Sequence, residues 1–590
     1  MFSKYFQDEL AYLRELGRDF AQSYPALAPM LADKGGDPDV ERLLEGVAFL
    51  TGRIRQKLDD ELPELFFSIS SLLFPQLTRP IPSASVLEMT PLPQALRERR
   101  VVPAGAEFDS VPVDGTRCRF TTTADCEVTP ITIRGLRLDA LPGGGQQLRI
   151  ELSTPAGMPA ASVMPDKLRL HFAVDERVAL LLLLWCARHT FEIALGTESP
   201  TTGKSDVEVS LGKQALSLVG FGEHDALLPL TENAFTGYRL LTEYTTLPAK
   251  FAFVDIAGVR RLSELNHQAS RLYLDIRFDL PLPGVHHLPS DAIKLYCVPI
   301  VNVFSSTAEP ITVVPEREQF LVRVAGLRAG QGEVYALTKL QTVVRSSGGR
   351  AEVPPFFEFS HSAEMSSEDR VFYSTHLRPS AVGDGADLYV SLGTAEDSGV
   401  IPDIDLLSID LLATNGRLAG ALRAGEISTP TASSPPFATC RNLVAVTPYV
   451  PPPLGRELAW RATAHAAMNL RSLAEVDTLR AAVATYNLRA IVDRQAARAG
   501  ELRVGAIRAV RLTPAERLYR GAPVRGVAIE VELDEGGFSG DGDLFLFGAI
   551  LERLFASYVS INSFARTSVF APQSKARYTW PESSGSLTLL

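Results

Sequence analysis

Four groups of residues in this 590-residue chain could do chemistry by type and spacing. Ser199 to Ser205 reads SPTTGKS and carries the lysine and hydroxyl that close a phosphate-binding loop, with Lys204 placed to reach a phosphate. Such a loop needs a glycine at 198, where the chain has Glu198, and it must open a helix whose N–H groups hold the phosphate. The residues after Ser205, DVEVSL, alternate like a strand. The spacing therefore predicts a loop before a strand, and Lys204 is the one handle for a nucleotide hydrolase. His286-His287 lies in LPGVHHLPS without a further Cys or His at ligand spacing, which points to a surface pair. Asp534, Asp541 and Asp543 in DEGGFSGDGDLF lack the calcium-loop pattern and its terminal Glu, and read as a turn leading to a helix N-terminus. Asp59, Asp60, Glu61 and Glu64 resemble paired catalytic acids, but basic neighbours on an amphipathic helix make them a solvated face. No GxSxG or HExxH is present. The expectation is a protein with no catalytic residues, no metal and no cofactor.

Composition agrees with a non-catalytic globular chain: 46% hydrophobic and 22% charged, long enough for about three or four domains. The net charge of −11 argues against general binding to nucleic acid or to an anionic membrane surface. That charge is uneven. From Arg456 to Arg525 there are 13 Arg, no Lys and 6 acidic residues, a local +7 that leaves −18 elsewhere. Solvated arginine heads on helices explain it, with a basic docking face as the other reading. Five cysteines, odd in number and without a CxxC pair, fit a reducing compartment. The N-terminus MFSKYFQDELAYL has no signal-peptide core, and the longest apolar run, Val178 to Ala187, is too short to span a bilayer. These features predict a soluble cytoplasmic protein.

The element on which the rest is organised runs from Asp37 to Ser83. Asp37 can cap a helix and Pro38 suits its first position. Val40, Leu43, Val47, Leu50, Ile54, Leu58 and Leu62 then recur at spacings of three or four, one helical face. Pro63 forbids a continuous helix, and a second one carries Leu65, Phe66, Ile69, Leu72 and Leu73 up to Pro75. The apolar face must pack on something, either this chain's own core or another chain. The candidate interface residues are Val47, Ile54, Leu58, Leu65 and Phe66.

The fold class expected is mixed α+β and multidomain. Residues 1–83 form an N-terminal helical, bundle-forming segment, and 84–330 a β-rich domain with one buried helix at Asp175 to Arg188. A second β-rich domain covers 331–455, and an α/β region 456–590. Ser428 to Pro436 and Tyr449 to Pro453 read as linkers or extended crossings.

Segments spread over nearly the whole chain resemble one family, the type VI secretion baseplate subunit TssF, also called ImpG or VasA. FQDELAYLRELGRDFAQSYPALA (6–28), DPDVERLLEGVAFLTGRIRQKLDDELPEL (37–65) and FPQLTRPIPS (74–83) are similar to its opening and its signature. VPAGAEF (102–108), GYRLLTEYTTLPAKFAFVDI (237–256), CVPIVNVFSSTAEPI (297–311) and LSIDLLATNGRLAGAL (407–422) follow in order. AWRATAHAAMNLRSLAEVDTLR (459–480) and LFGAILERLFASYVSINSF (546–564) complete it. Thr245-Thr246, Gly416, Ala419 and Ala466-Ala467-Met468 depart from the family's usual residues, as in a divergent branch. The resemblance implies a structural subunit of a contractile injection machine's cytoplasmic baseplate, recruited to a complex anchored in the inner membrane. It implies a wedge of two copies with one TssG, arranged around the VgrG hub, with TssK and TssE as further partners. A baseplate component of a phage tail or tailocin is the alternative.

Overall fold

The computed structural model describes residues 6–7, 9–14, 16, 39, 42–54, 67, 70–71, 74–198, 205–229, 236–264, 269–314, 317–343, 349–356, 371–380, 382, 385–394, 404–454, 460–461, 464–465, 468–519 and 521–585. It is mixed α and β, with the helices at the two ends of the chain and in the middle of the first β-rich region.

Residues 42–54 are helical, as the three-four spacing demands, but only Ala48 and Gly52 of this helix are buried. Asp37, Pro38 and Pro63, which were expected to start and break the helices, lie outside the described residues. Pro75 does not end the helical segment as expected. It opens a further turn, Pro75–Thr78, because a proline at the first helical position gives up an N–H that would have no partner there. Leu77 of that turn is fully buried.

From Ala84 the chain builds sheets. Ala84–Pro91, with seven of its eight residues buried, is an inner strand of a six-stranded sheet ordered Ile427–Pro430, Glu107–Val113, Thr116–Thr122, Cys297–Val301, Ala84–Pro91, Ala438–Asn442. The first and last of these strands come from the stretch around Ser428 to Pro436, so that stretch is not a plain linker. Its hydroxyls explain the seating: Thr431 Oγ1 and Ser434 Oγ both donate to Glu107 O at 2.8 Å. Residues 132–294 add a five-stranded and a four-stranded sheet, the latter ordered Leu216–Leu218, Phe253–Ala257, Lys167–Phe172, Ile293–Lys294.

The expected buried helix is Glu176–Arg188, and Asp175 caps it by accepting from Arg177 N at 3.0 Å. A helix that was not expected, Thr236–Thr246, has nine buried residues. Its threonines and tyrosines favour strand locally, and packing overrides that preference.

Residues 304–414 enclose a separate core of Phe304, Leu340, Val390, Leu407, Ile409 and Leu411. A buried polar node joins it to the first sheet. Asn302 Oδ1 accepts from Thr414 Oγ1 and Asn415 N, both at 2.8 Å, and Asn302 Nδ2 donates to Arg119 O at 2.7 Å.

The C-terminal region is α/β. Ala522–Leu533 runs antiparallel to Ile507–Tyr519 and parallel to Phe564–Ala571, and the helix Asp541–Ala556 makes the crossover that a parallel pair requires.

Candidate partner interface

The groups that could do chemistry resolve one by one. Lys204 lies outside the described residues, but Ser205–Ser210 is a strand paired with Thr190–Glu198, where a phosphate cradle would need a helix. Glu198 accepts from Arg134 Nη2 at 2.7 Å. His286 and His287 are exposed. Among the described residues no group of three or more His, Cys, Asp or Glu could hold a metal ion. Asp59, Asp60, Glu61 and Glu64 fall outside the described residues.

The three C-terminal aspartates serve turns and a helix start. Asp534 accepts from Arg508 Nη2 at 2.6 Å and from Gly536 N at 3.0 Å, and both bonds hold its carboxyl below the usual range. Asp541 stands in the first turn of Asp541–Ala556. Asp543, almost fully buried, accepts from the Tyr244 hydroxyl, from Ser539 N at 3.0 Å and from Arg503 Nη2 at 3.4 Å. Arg503 in turn lies 4.8 Å over the Tyr244 ring.

A second buried charge cluster sits on Thr236–Thr246. Glu243, with no exposure, takes a hydrogen bond from Leu227 N at 2.7 Å, an ion pair from Arg239 at 3.2 Å and another from Lys250. Burial pushes the Lys250 ammonium down and the Tyr244 hydroxyl up. Each carboxylate here has its oxygens committed to neighbouring segments. These perturbed groups hold the fold together; none faces an open site.

Four of the arginines in the basic stretch are matched internally. Arg503 meets Asp543, Arg508 meets Asp534, Arg511 meets Glu530 and Glu532, and Arg517 meets Glu582. The matching acids lie C-terminal to the arginine-rich stretch, so its charge taken alone overstates how basic it is.

One face of the helix at 42–54 is apolar and exposed. Leu43 is 70%, Val47 39%, Leu50 62% and Ile54 60% exposed, and Phe49 beside them is exposed as well. Their spacing of four, three and four is the a/d seam of a coiled coil, a stripe that matches a second helix. Burying four such side chains would yield on the order of 6–12 kcal/mol before ordering costs, which no contact within the described chain supplies. Of the expected interface residues, the structure thus exposes Val47 and Ile54 on one face. Leu58, Leu65 and Phe66 lie outside the described residues, whereas Phe67 is buried in the main core. Leu43 and Leu50 belong to the same face and are more exposed than Val47; the heptad spacing was the signal for them.

The family model described as "Type VI secretion system, TssF" matches residues 1–587. The chain is 29% identical over 626 aligned positions to the type VI secretion system component TssF1 of Pseudomonas aeruginosa strain PAO1, covering 99% of this chain and 98% of that one. It is similar to a chain of the TssK-TssF-TssG baseplate subcomplex solved by cryo-electron microscopy, with a TM-score of 0.78 and 31% identity over 92% of this chain and 98% of that chain. A chain of the type VI secretion baseplate complex matches over 100% of both chains with a TM-score of 0.61 and 28% identity. No helix among the described residues is long and apolar enough to cross a membrane.

Proposed function

The chain belongs to the TssF family of type VI secretion baseplate proteins, and from that premise we propose that its N-terminal helical arm joins a shared bundle with TssG. The observation that carries this reading is the exposed seam Leu43, Val47, Leu50 and Ile54, apolar at heptad spacing on an element with almost no burial of its own. Two copies of the chain combine with one TssG in a wedge, on the cytoplasmic side of the membrane-anchored complex. Wedges surround the VgrG hub, and TssK and TssE link them to the membrane complex and the sheath. The protein's work is assembly, without catalysis of its own, and firing is a rearrangement among interfaces that have two packings.

Ile54→Asp tests the reading. A carboxylate buried in the seam without a partner costs several kcal/mol, so co-purification with TssG is lost while the thermal transition of the isolated chain is unchanged. A folded Ile54→Asp protein that still retains TssG removes this face from the interface. Nucleotide binding that disappears in Lys204→Ala would overturn the non-catalytic reading.

A further inference from the structure

We propose that a buried aromatic cluster around His465 is the socket that seats Phe74, where the N-terminal helical segment joins the body, with His465 as a positioning residue. The proposal rests on the reading of the arm as the partner-binding element.

Phe74 stands between the helical residues at 70–71 and the turn Pro75–Thr78. Its amide donates to Ser70 O at 2.7 Å, its carbonyl accepts from Leu77 N at 2.8 Å, and its own torsions, φ −137° and ψ 58°, belong to neither helix. Whatever fixes Phe74 therefore fixes where the chain enters the turn Pro75–Thr78. Beyond those two backbone bonds, the Phe74 ring is held by a neighbour: it meets the His465 ring edge-on at 4.4 Å and 74°.

His465 is itself clamped. Its Nδ1 lies 2.7 Å from Tyr486 Oη, and its ring meets Tyr238 edge-on at 4.5 Å. Tyr238 stacks on Tyr486 at 4.3 Å, and its hydroxyl reaches Tyr558 Oη at 2.5 Å and Met468 Sδ at 2.9 Å. Tyr238 is fully buried and His465 nearly so. Stretches far apart in the chain thus converge on one imidazole, and that imidazole meets Phe74. Burial keeps it neutral, with its pKa pushed down to about 4, so the socket holds unchanged across the physiological range.

Hydrogen–deuterium exchange on the chain without any partner tests the socket. In His465→Ala the Phe74 and Leu77 amides should exchange about tenfold faster or more, while the helix Asp541–Ala556 keeps its protection. His465→Phe preserves the ring edge and should stay within about threefold of the wild type. Unchanged protection at Phe74 and Leu77 in folded His465→Ala, or equally fast exchange in His465→Phe, overturns the proposal. If His465→Ala does not fold, Phe74→Ala removes the arm's side of the same contact, and faster exchange at Leu77 is again required. The two readings fail separately: TssG captured by Ile54→Asp sinks the arm reading and leaves the exchange result standing. Unchanged exchange sinks the socket alone.

Discussion

Glu243 carries more of the first β-rich region than its single charge suggests, because Lys250, Arg239 and Leu227 N all converge on a carboxylate with no exposure. Glu243→Gln leaves two cations buried without compensation, and should lower stability by about 3–5 kcal/mol, read as a fall in the urea midpoint. Glu243→Gln combined with Lys250→Met should recover some of that loss, since one orphaned charge is removed with its partner. Neither the helix that sets Arg239 and Glu243 four apart nor the burial of the pair was read from the sequence. Two histidines act on stability through pH. Burial holds His171 and His465 at a pKa of about 4, below the ordinary 6.5 of the unfolded chain. A depressed histidine binds fewer protons in the fold, so its stabilisation is whole above pH 6.5 and is lost as pH falls towards 4. The loss is on the order of 3 kcal/mol per histidine at most. Glu176 and Glu333, raised by burial, act in the opposite sense. The difference between wild type and a His171→Phe/His465→Phe variant therefore isolates the effect: thermal melting of the variant should fall less steeply between pH 6.5 and 4.5.

Helix packing in the body depends on two glycines. A Cβ on Gly542 would overlap the backbone of Leu180, and one on Gly237 would overlap Leu554 Cα. The helices Glu176–Arg188, Thr236–Thr246 and Asp541–Ala556 thus approach backbone to backbone. Alanine at either position gains about 1 kcal/mol of helix propensity but forces apart a packed contact at about 1–3 kcal/mol or more. Gly542→Ala should consequently lower the melting temperature, and the reverse result would mean the helices can shift. Glu176–Arg188 was readable as a buried helix because it is apolar almost all round. Thr236–Thr246 was not, since its buried residues include Arg239, Thr242 and Glu243, whose partners come from elsewhere. The arm helix is the opposite case: its stripe was plain in the sequence, and only the fold shows that Leu43, Leu50 and Ile54 stay uncovered.

At the scale of the molecule, the separate core within residues 304–414 is tied to the first sheet through Asn302, Thr414, Asn415 and Arg119. Asn302→Ala strips the acceptor from Thr414 Oγ1 and Asn415 N at once. At about 1–3 kcal/mol per orphaned buried group, the cost is roughly 2–6 kcal/mol. Because the loss falls on the joint and not on either core, calorimetry of Asn302→Ala should show transitions more widely separated than those of the wild type. One sharp transition at lower temperature would mean that other contacts carry the coupling. This node couples the two β-rich regions directly.

The sequence by itself determined the local grammar of this protein. The stripe from Val40 to Leu62, the apolar helix at Asp175 to Arg188, the alternation of DVEVSL and each single family-like segment all depend on residues within a few positions of one another. Period and turn chemistry are local properties. It also determined the family, because many weak matches in one order are jointly specific. Tertiary structure alone decided which polar groups are buried, which arginines are matched, and that residues 427–442 close a sheet begun at Ala84. Burial and charge pairing depend on what the rest of the chain brings within a few ångströms. Phe74, Tyr238, His465, Tyr486 and Tyr558 share no spacing that could have announced their meeting, and that meeting is what gives the arm its anchor.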